Sequence, residues 1–555
     1  MKVEMALCEV KIRVKIIKRL TSSKMQQQNI KRRLGTLKRH LTSAVVSNEE
    51  HERLAWEEKS ISYSTGMFRP VLFEADRLHC QVVFGVLPKD LVGTYYRNGP
   101  NAKHPAGPED PYHLFDGDGM IAAFYIDAQQ GVVFSHKWVQ TERLIFDHKA
   151  GTSIYDFGSL ASGKAVGHLP GVVNEDGVRM GKANTSLLSH HGKLLALEDA
   201  DLPYHIHPGT LATLPHPGQR QVFDGDEVDD PRLPVFTAHP RVCPHTGELI
   251  GYGCMYSPSQ EWTYARLSPE GKVLNTFNIP LNRSSYAHDF GCTREFAMVF
   301  DGSLSMDWKV VMASAMGKKI PAESSGHVWN FDRDTPGRIG VFPREATLSS
   351  QVRWFNVAPF CVSHTCCCFQ EPTDPDVIVI VSNNIGNESF SPLFPAVTPL
   401  DPDANLHMYR LRWSTGTVEE EKVLWRGRSD FPTTNRQWRG ATRYVYAAML
   451  DYTEPEHCPQ LVGFYKFDLV SNTMVRETWP STCFGGEPLF VPRGQHGEED
   501  DGFVLVLVND MKSRRTELRV YDAQKLGTKN GHVATVQCPR RIVPLGTHGL
   551  WMNGV

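Results

Sequence analysis

The side chains best suited to chemistry in this chain are histidines. There are 23 of them, and neutral imidazole is a common ligand for iron, zinc and copper. Four stand in distinctive contexts: His239 in FTAHP (236–240), His288 in YAHDF (286–290) just before the apolar run EFAMVF, His364 in FCVSH (360–364) at the end of an apolar run, and His548 in GTHGLW (546–551) near the C-terminus. Intervals of 49, 76 and 184 residues separate them. Such spacing does not suit a zinc finger or two ligands one helical turn apart. It suits a fold in which strands remote in sequence converge and each supplies one inward side chain. Spacing alone does not single these four out from the 23.

Other groups carry less signal. The 12 cysteines include no CxxC pair. Cys366, Cys367 and Cys368 are consecutive, and consecutive strand residues point to opposite faces, so packing on a strand is expected rather than a metal site. The DGDGM loop (116–120) and the FDGDEVDD run (223–230) mimic calcium loops without the full ligand spacing and terminal Glu; both read as solvated turns. EEDDG (498–502) reads as a charged hairpin turn. His113 reads as structural, and His190 and His191 as a surface turn. His205 and His207 could share a strand face, but nothing else marks them.

The elements that must position the histidines are short strands. The chain has 555 residues, 41% hydrophobic and 22% charged, an ordinary globular composition. From about Met67 onward, β-branched and aromatic runs alternate with turns: 120–127, 309–315, 377–382, 443–450, 503–510 and 517–523. Turns at 245–248, 269–272 and 414–417 place Gly where a hairpin needs positive φ. Many short strands at regular spacing, with no long amphipathic helix between them, predict an all-β fold. Nearly 500 residues are too many for one sandwich or small barrel, whereas a β-propeller grows by adding blades without exposing long edges.

Residues 1–60 differ from the rest. The first 47 hold 12 Lys or Arg against two Glu, a tail of about +10 before a body of about −13. This reads as a basic leader, disordered or targeting, in which KMQQQNIKRRLGTLKRH could form a helix; residues 61–555 read as one propeller domain. The net charge of −3 gives no nucleic-acid signal. No stretch has the roughly 20 apolar residues of a transmembrane helix, and the N-terminus lacks the apolar core of a secretory signal. The cysteines are therefore expected as thiols in a reducing compartment.

From about Gly66 to Trp551 the chain resembles the carotenoid cleavage oxygenase family. The stretches that carry the resemblance are GTYYRNGPN (93–101), HLFDGDGM (113–120), ANTSLL (183–188), DLPY (201–204), FTAHP with its TGE turn, HDF, RWF (353–355), RYVYAA, GGEPLFVP (485–492), EEDDGF (498–503) and PLGTHGLW (544–551). RNGPN and DGDGM resemble the plant and microbial branch more than the animal retinoid branch.

The resemblance implies a seven-bladed β-propeller with one iron(II) per chain on its central axis and a few short helices and loops capping one face. It implies four iron ligands, at positions matching His239, His288, His364 and His548. It also implies O₂ as co-substrate and cleavage of a carbon–carbon double bond of a carotenoid or apocarotenoid into two carbonyl products, with no organic cofactor. Four neutral imidazoles leave the ion's charge intact and coordination positions open, and iron supplies the one-electron chemistry that triplet oxygen requires. No catalytic group beyond the metal site is implied. Carboxylates that accept the outer imidazole N–H fix the tautomer and raise ligand basicity; the matching positions are Asp199, Asp430 and Glu487.

Glu487, in GGEP, matches the family directly, but Asp199 and Asp430 stand where Glu is usual. Their reach is one methylene shorter, so a bridging water, favoured at Asp199, or an inward backbone shift is expected. Glu198 is a candidate substitute, though strand alternation points it elsewhere. After His364, the segment Cys367, Cys368, Phe369, Gln370 and Glu371 also departs from the family pattern.

The alternatives are a stilbene-type alkene-cleaving dioxygenase, the isomerohydrolase chemistry of the vertebrate retinoid relative, and a propeller that binds without catalysis. Peripheral membrane contact is expected through 305–319 or 391–400, with core packing as the competing reading. No nucleic acid or obligate protein partner is implied. The basic leader points to a plastid, with the cytosol as the alternative.

Overall fold

The computed structural model describes residues 48–58, 65–104, 114–127, 129–151, 179–199, 201–214, 233, 235–256, 260–315, 328–385, 405–451, 460–494, 497–542 and 546–554. The run 223–230, the loop 391–400, the segment 24–40 and His113 lie outside the described residues.

The molecule is all-β with few helices, in a propeller-like arrangement of antiparallel sheets. Four of the sheets are four-stranded meanders in chain order. They begin with the strands Arg241–Val242, Gly291–Cys292, Val362–Glu371 and Ser429–Thr433 and end with Val273–Pro280, Arg353–Val357, Thr417–Trp425 and Thr473–Thr478. A three-stranded sheet spans Ser186–His190 to Tyr204–Ile206. A ten-stranded sheet joins the two ends of the chain. In it, Ala75–Gly85 pairs with both His532–Gln537 and Gly131–Trp138, and Gly93–Arg97 pairs with Gly549–Met552. This closure presents C-terminal His548 to residues from the start of the chain.

The expected turn chemistry is present. Gly247, Gly271 and Gly416 have φ of 73°, 84° and 72°, the left-handed region that glycine enters without Cβ strain. Between meanders the core is apolar side chains from facing sheets. Tyr252, Trp262 and Ile279 of one pack with Ala297, Val299 and Phe342 of the next, and Met298, Ile339 and Phe355 pack in turn with Ile378, Ile380 and Tyr409. Successive first strands also pack on each other, Val362–Glu371 lying against both Gly291–Cys292 and Ser429–Thr433. The side chains these strands carry therefore converge.

Four expectations are corrected. The run 309–315 is not a strand but lies in the helix Trp308–Ala315. Asp307 caps it, its Oδ1 accepting from the Lys309 amide at 2.9 Å. Val310 and Val311 are buried, leaving Met312 as the exposed large apolar side chain of this face.

The DGDGM loop is not solvated. Asp116 and Asp118 are buried; Asp116 pairs with Lys182 at 3.2 Å and Asp118 accepts from the Lys103 amide at 3.0 Å. EEDDG does form the turn of the hairpin joining Leu489–Pro492 to Gly502–Asp510, as expected, with Glu499 turned inward to accept from the Arg443 and Tyr444 amides. Of the His190–His191 pair, His190 is buried with Nε2 3.2 Å from the Gly247 carbonyl.

The folded body also begins before residue 61. The helix Asn48–Glu57 docks on it, with His51 Nε2 2.8 Å from the Pro70 carbonyl and the Arg541 guanidinium donating to Glu52 at 2.8 and 3.1 Å. Arg514 pairs with Glu57 at 2.9 Å.

Candidate metal centre

Each of the four singled-out histidines sits at or near the start of a strand, three at the first strands of meanders and His548 at an edge strand of the ten-stranded sheet. His239 precedes Arg241–Val242, His288 precedes Gly291–Cys292, His364 lies within Val362–Glu371, and His548 precedes Gly549–Met552. The structure brings all four together. Ring nitrogens of His239, His364 and His548 lie within 4.8 Å of one another. Nε2 of His288 is 3.1 Å from Nε2 of His239 and 3.2 Å from Nε2 of His364. The rings meet edge to face, with centroids 4.7 Å apart at 86° for His239 and His548 and 4.9 Å apart at 68° for His288 and His364.

Three of the outer nitrogens face carboxylates. His288 Nδ1 is 2.7 Å from Asp199 Oδ2, His364 Nδ1 is 2.6 Å from Asp430 Oδ1, and His548 Nδ1 is 2.9 Å from Glu487 Oε1. The contacts of Asp199 and Asp430 are direct, so the expectation of a bridging water is corrected. Asp199 follows the strand Lys193–Leu197, and its other oxygen accepts from the Ala238 amide at 2.7 Å, drawing the backbone beside His239 toward it. Glu198 points away and accepts from the amides of Lys182 and Ala183. Glu487 is fully buried. It also accepts from the Gly549 amide at 2.6 Å and from Arg97 Nη1 at 3.2 Å.

This hydrogen-bond pattern tests whether a cation belongs here. A carboxylate facing Nδ1 places the imidazole proton there and leaves a bare lone pair on Nε2. In His288 and His364 those lone pairs face each other across 3.2 Å, a repulsive arrangement unless a cation lies between them. Two imidazole ligands at about 2.1 Å from one ion and at right angles are about 3.0 Å apart. The donor set therefore fits a single transition-metal ion.

Electrostatics agree in sign. Burial, reinforced by the other three histidines, holds His239 well below the ordinary imidazole range. Burial also lowers His548, to about 4, against the opposing pull of Glu487. At His288 burial again disfavours charge, but Asp199 and then Asp289 and Asp430 outweigh it, and the group is raised. Burial disfavours the Asp430 and Glu487 carboxylates, yet His364 and His548 respectively hold both below their ordinary values.

Sequence reasoning did not select three further residues at the site. Arg97, from the RNGPN stretch, holds Glu487 and the Gly546 carbonyl. Phe431 packs its ring 5.7 Å from His364 and 5.4 Å from His548. Tyr286 stacks 5.7 Å from His288. Motif membership was the available signal for Arg97; adjacency to Asp430 and His288 was the signal for the aromatics. Cys366 is buried, Cys367 and Cys368 are half-buried, all three are free thiols, and none joins the histidine cluster.

An all-β, propeller-like fold gathers distant histidines around one buried point, three of them backed by carboxylates, in a cluster able to hold a metal ion. The chain belongs to the retinal pigment epithelial membrane protein family, the carotenoid cleavage oxygenases, which it matches over residues 68–553. It is 30% identical to the probable carotenoid cleavage dioxygenase 4, chloroplastic, of Arabidopsis thaliana, over 88% of this chain and 80% of the relative. It is 29% identical to the carotenoid 9,10(9',10')-cleavage dioxygenase of Crocus sativus, over 89% and 90%. Among solved structures, the fold is similar to the lignostilbene dioxygenase of Pseudomonas brassicacearum, with a TM-score of 0.75, 24% identity and coverage of 89% of this chain and 98% of that one. It is also similar to a mutant apocarotenoid oxygenase of Synechocystis, with a TM-score of 0.68, 25% identity and coverage of 92% and 99%.

Proposed function

We propose that this protein is an iron(II)-dependent dioxygenase that cleaves a carbon–carbon double bond of a carotenoid or apocarotenoid with O₂ to give two carbonyl products. The observation that carries the reading is the meeting of His239, His288, His364 and His548, with three outer nitrogens held by carboxylates, in a chain 29–30% identical to plant carotenoid cleavage dioxygenases. In this reading the four histidines hold one Fe(2+) per chain through Nε2, and Asp199, Asp430 and Glu487 fix their tautomers. The fold is a seven-bladed propeller in which the ten-stranded sheet counts as two blades sharing the strand Ala75–Gly85, with the metal on the axis.

When bound, iron(II) supplies the one-electron chemistry that lets triplet O₂ react with a spin-paired polyene. The chain's residues do the rest. The carboxylates keep Nδ1 protonated and Nε2 available, and Arg97 offsets the buried Glu487 charge. The ring faces of Tyr286 and Phe431 give the alkene an apolar surface beside the histidines and keep water from it. Peripheral contact with a membrane, the source of so apolar a substrate, uses the face of Met312 and Lys309. No helix among the described residues is long and apolar enough to cross a membrane. The basic leader and the chloroplastic relatives support a plastid.

The test is to reconstitute the metal-free protein with iron(II) under nitrogen. Carotenoid, apocarotenoid and hydroxystilbene are then offered with O₂, and carbonyl products are identified by mass spectrometry. Products from carotenoid or apocarotenoid are expected; cleavage of the stilbene alone transfers the assignment to that class, and no cleavage of any of them overturns it.

A further inference from the structure

Next to three of the four histidines lies an ion pair that touches none of their ring nitrogens. Arg241 is two residues past His239, and Asp289 immediately follows His288. Arg241 Nη2 donates to both carboxylate oxygens of Asp289 at 2.8 Å. Asp289 Oδ2 also accepts from the amide of Thr365, the residue after His364, at 2.8 Å, and Oδ1 accepts from the Phe290 amide at 2.7 Å. Arg241 Nη2 is 3.3 Å from the Thr365 carbonyl oxygen. Both polar backbone groups of Thr365 are thus held, one by each member of the pair.

We infer that the Arg241–Asp289 pair is a positioning brace that fixes the mutual geometry of His239, His288 and His364 across three sheets. The Asp289 side chain is 1% exposed and that of Arg241 28%. Ion pairs this buried add little net stability, because desolvation offsets the attraction; what this one supplies is a fixed spatial relation. The peptide group that leaves His364 hangs on the residue that follows His288, so the 3.2 Å separation of their Nε2 atoms is set through Asp289. The guanidinium then ties the segment of His239 to the same point. Arginine suits the role because its planar guanidinium holds one nitrogen, Nη2, against all three acceptors at once. His548 lies outside this brace and has its own, formed by Glu487 and Arg97.

The inference rests on the proposed metal site, and the experiment separates the two. Metal-free parent, Arg241→Gln, Arg241→Lys and Arg493→Gln are titrated with cobalt(II) under nitrogen, following the visible ligand-field bands, and each is melted without metal. Arg493 is the control: its guanidinium is comparably exposed and pairs with buried Asp522 at 3.3 Å, but none of its partners adjoins a histidine. Expected for Arg241→Gln is cobalt affinity weaker on the order of 10–100-fold with displaced bands, and partial recovery in Arg241→Lys. Arg493→Gln should alter only the melting temperature. If Arg241→Gln does not fold, Arg241→Lys is read against the parent in the same way, since it keeps the charge but loses the planar guanidinium that aims Nη2 at its three acceptors. Parent-like affinity and bands in the folded Arg241 variants overturn the brace and leave the proposed function standing. A parent that binds no metal overturns the proposed function, and the brace with it.

Discussion

Asp430 touches His364 directly, Oδ1 to Nδ1 at 2.6 Å, although its side chain is one methylene shorter than the Glu usual at this position in the family. The backbone supplies the missing reach. Phe431, the next residue, has a φ of 55°, a conformation that a bulky residue adopts only when its surroundings enforce it. The pairing of Ser429–Thr433 with Tyr444–Asp451 shifts register between Asp430 and Thr433, as a local bulge does when it re-aims a side chain. The Phe431 amide then donates to the same Asp430 oxygen at 2.8 Å.

Restoring the longer side chain should therefore do harm. With direct contacts of 2.6 and 2.7 Å at Asp430 and Asp199, an added methylene pushes the histidine off its position. Asp430→Glu and Asp199→Glu should each lower iron retention and turnover, and Asp→Asn at either site should do so through loss of charge. Anaerobic iron titration of the four variants checks this. Improved retention in the Glu variants would show that the backbone had room to spare.

The histidines themselves set a harder limit. His288→Ala or His364→Ala removes one of four nitrogen donors and should abolish cleavage and reduce iron to well under one per chain, measured by elemental analysis of the purified protein. Full activity in either variant, or in a metal-stripped parent, would remove iron from the mechanism.

Most of the strands were legible from their texture. Met120–Asp127 falls where the run 120–127 predicts it, and Gly502–Asp510 extends the run 503–510 by one residue. The run 309–315 was misread because a short apolar segment without alternation suits a buried strand and a buried helix equally. The decisive feature was the capping Asp307 just before it. The DGDGM loop looked solvated because its burial depends on Lys182 and Lys103, whose arrival beside it is a tertiary fact. At the site, the four histidines could be drawn from the 23 by family motifs and not by spacing. Whether two aspartates reach their histidines was decided by backbone dihedrals that residue types do not encode. The Arg241–Asp289 pair joins residues 48 apart, beyond the reach of any local pattern.

The pH response should centre on His288. Its affinity for a proton is raised, with Asp199 the leading favourable charge, whereas His239 and His548 are lowered, His548 to about 4. A metal binds the neutral imidazole through its bare nitrogen, so a protonated histidine must first lose a proton. As pH falls from neutrality, His288 therefore protonates before those two, and metal affinity should begin to drop at the raised His288 value. Asp199→Asn removes the leading favourable charge and should move that onset to lower pH, while weakening binding at neutral pH. Cobalt titrations at a series of pH values compare the two onsets; an unchanged onset would detach His288 from Asp199.

Glu487→Gln tests the histidine that the Arg241 brace does not reach. Glu487 is the fully buried member of a short chain running from Arg97 through the carboxylate to His548. The amide keeps the size but not the charge, and should lower metal affinity or activity on the order of 10–100-fold. It also leaves Arg97, itself buried, without its anionic partner, so the metal-free protein should melt earlier as well. Arg97→Lys separates the two effects: it keeps the charge beside Glu487 but cannot span both the carboxylate and the Gly546 carbonyl.

The docked helix yields a prediction about truncation. A chain starting at residue 48 keeps Asn48–Glu57, while one starting at residue 60 removes it. The longer form should match the full protein in stability and metal content. In the shorter form, Arg541, whose side chain is 2% exposed, loses Glu52, and the Pro70 carbonyl loses His51. A buried polar group left without its partner costs about 1–3 kcal/mol, so the shorter form should unfold at lower denaturant concentration. Its iron content should match that of the full protein, because no contact of His239, His288, His364 or His548 described above involves this helix. Chemical unfolding and iron analysis of both truncations decide the point. Equal stability would mean that the helix merely rests on the surface, and loss of iron from the shorter form would mean that it supports the metal centre.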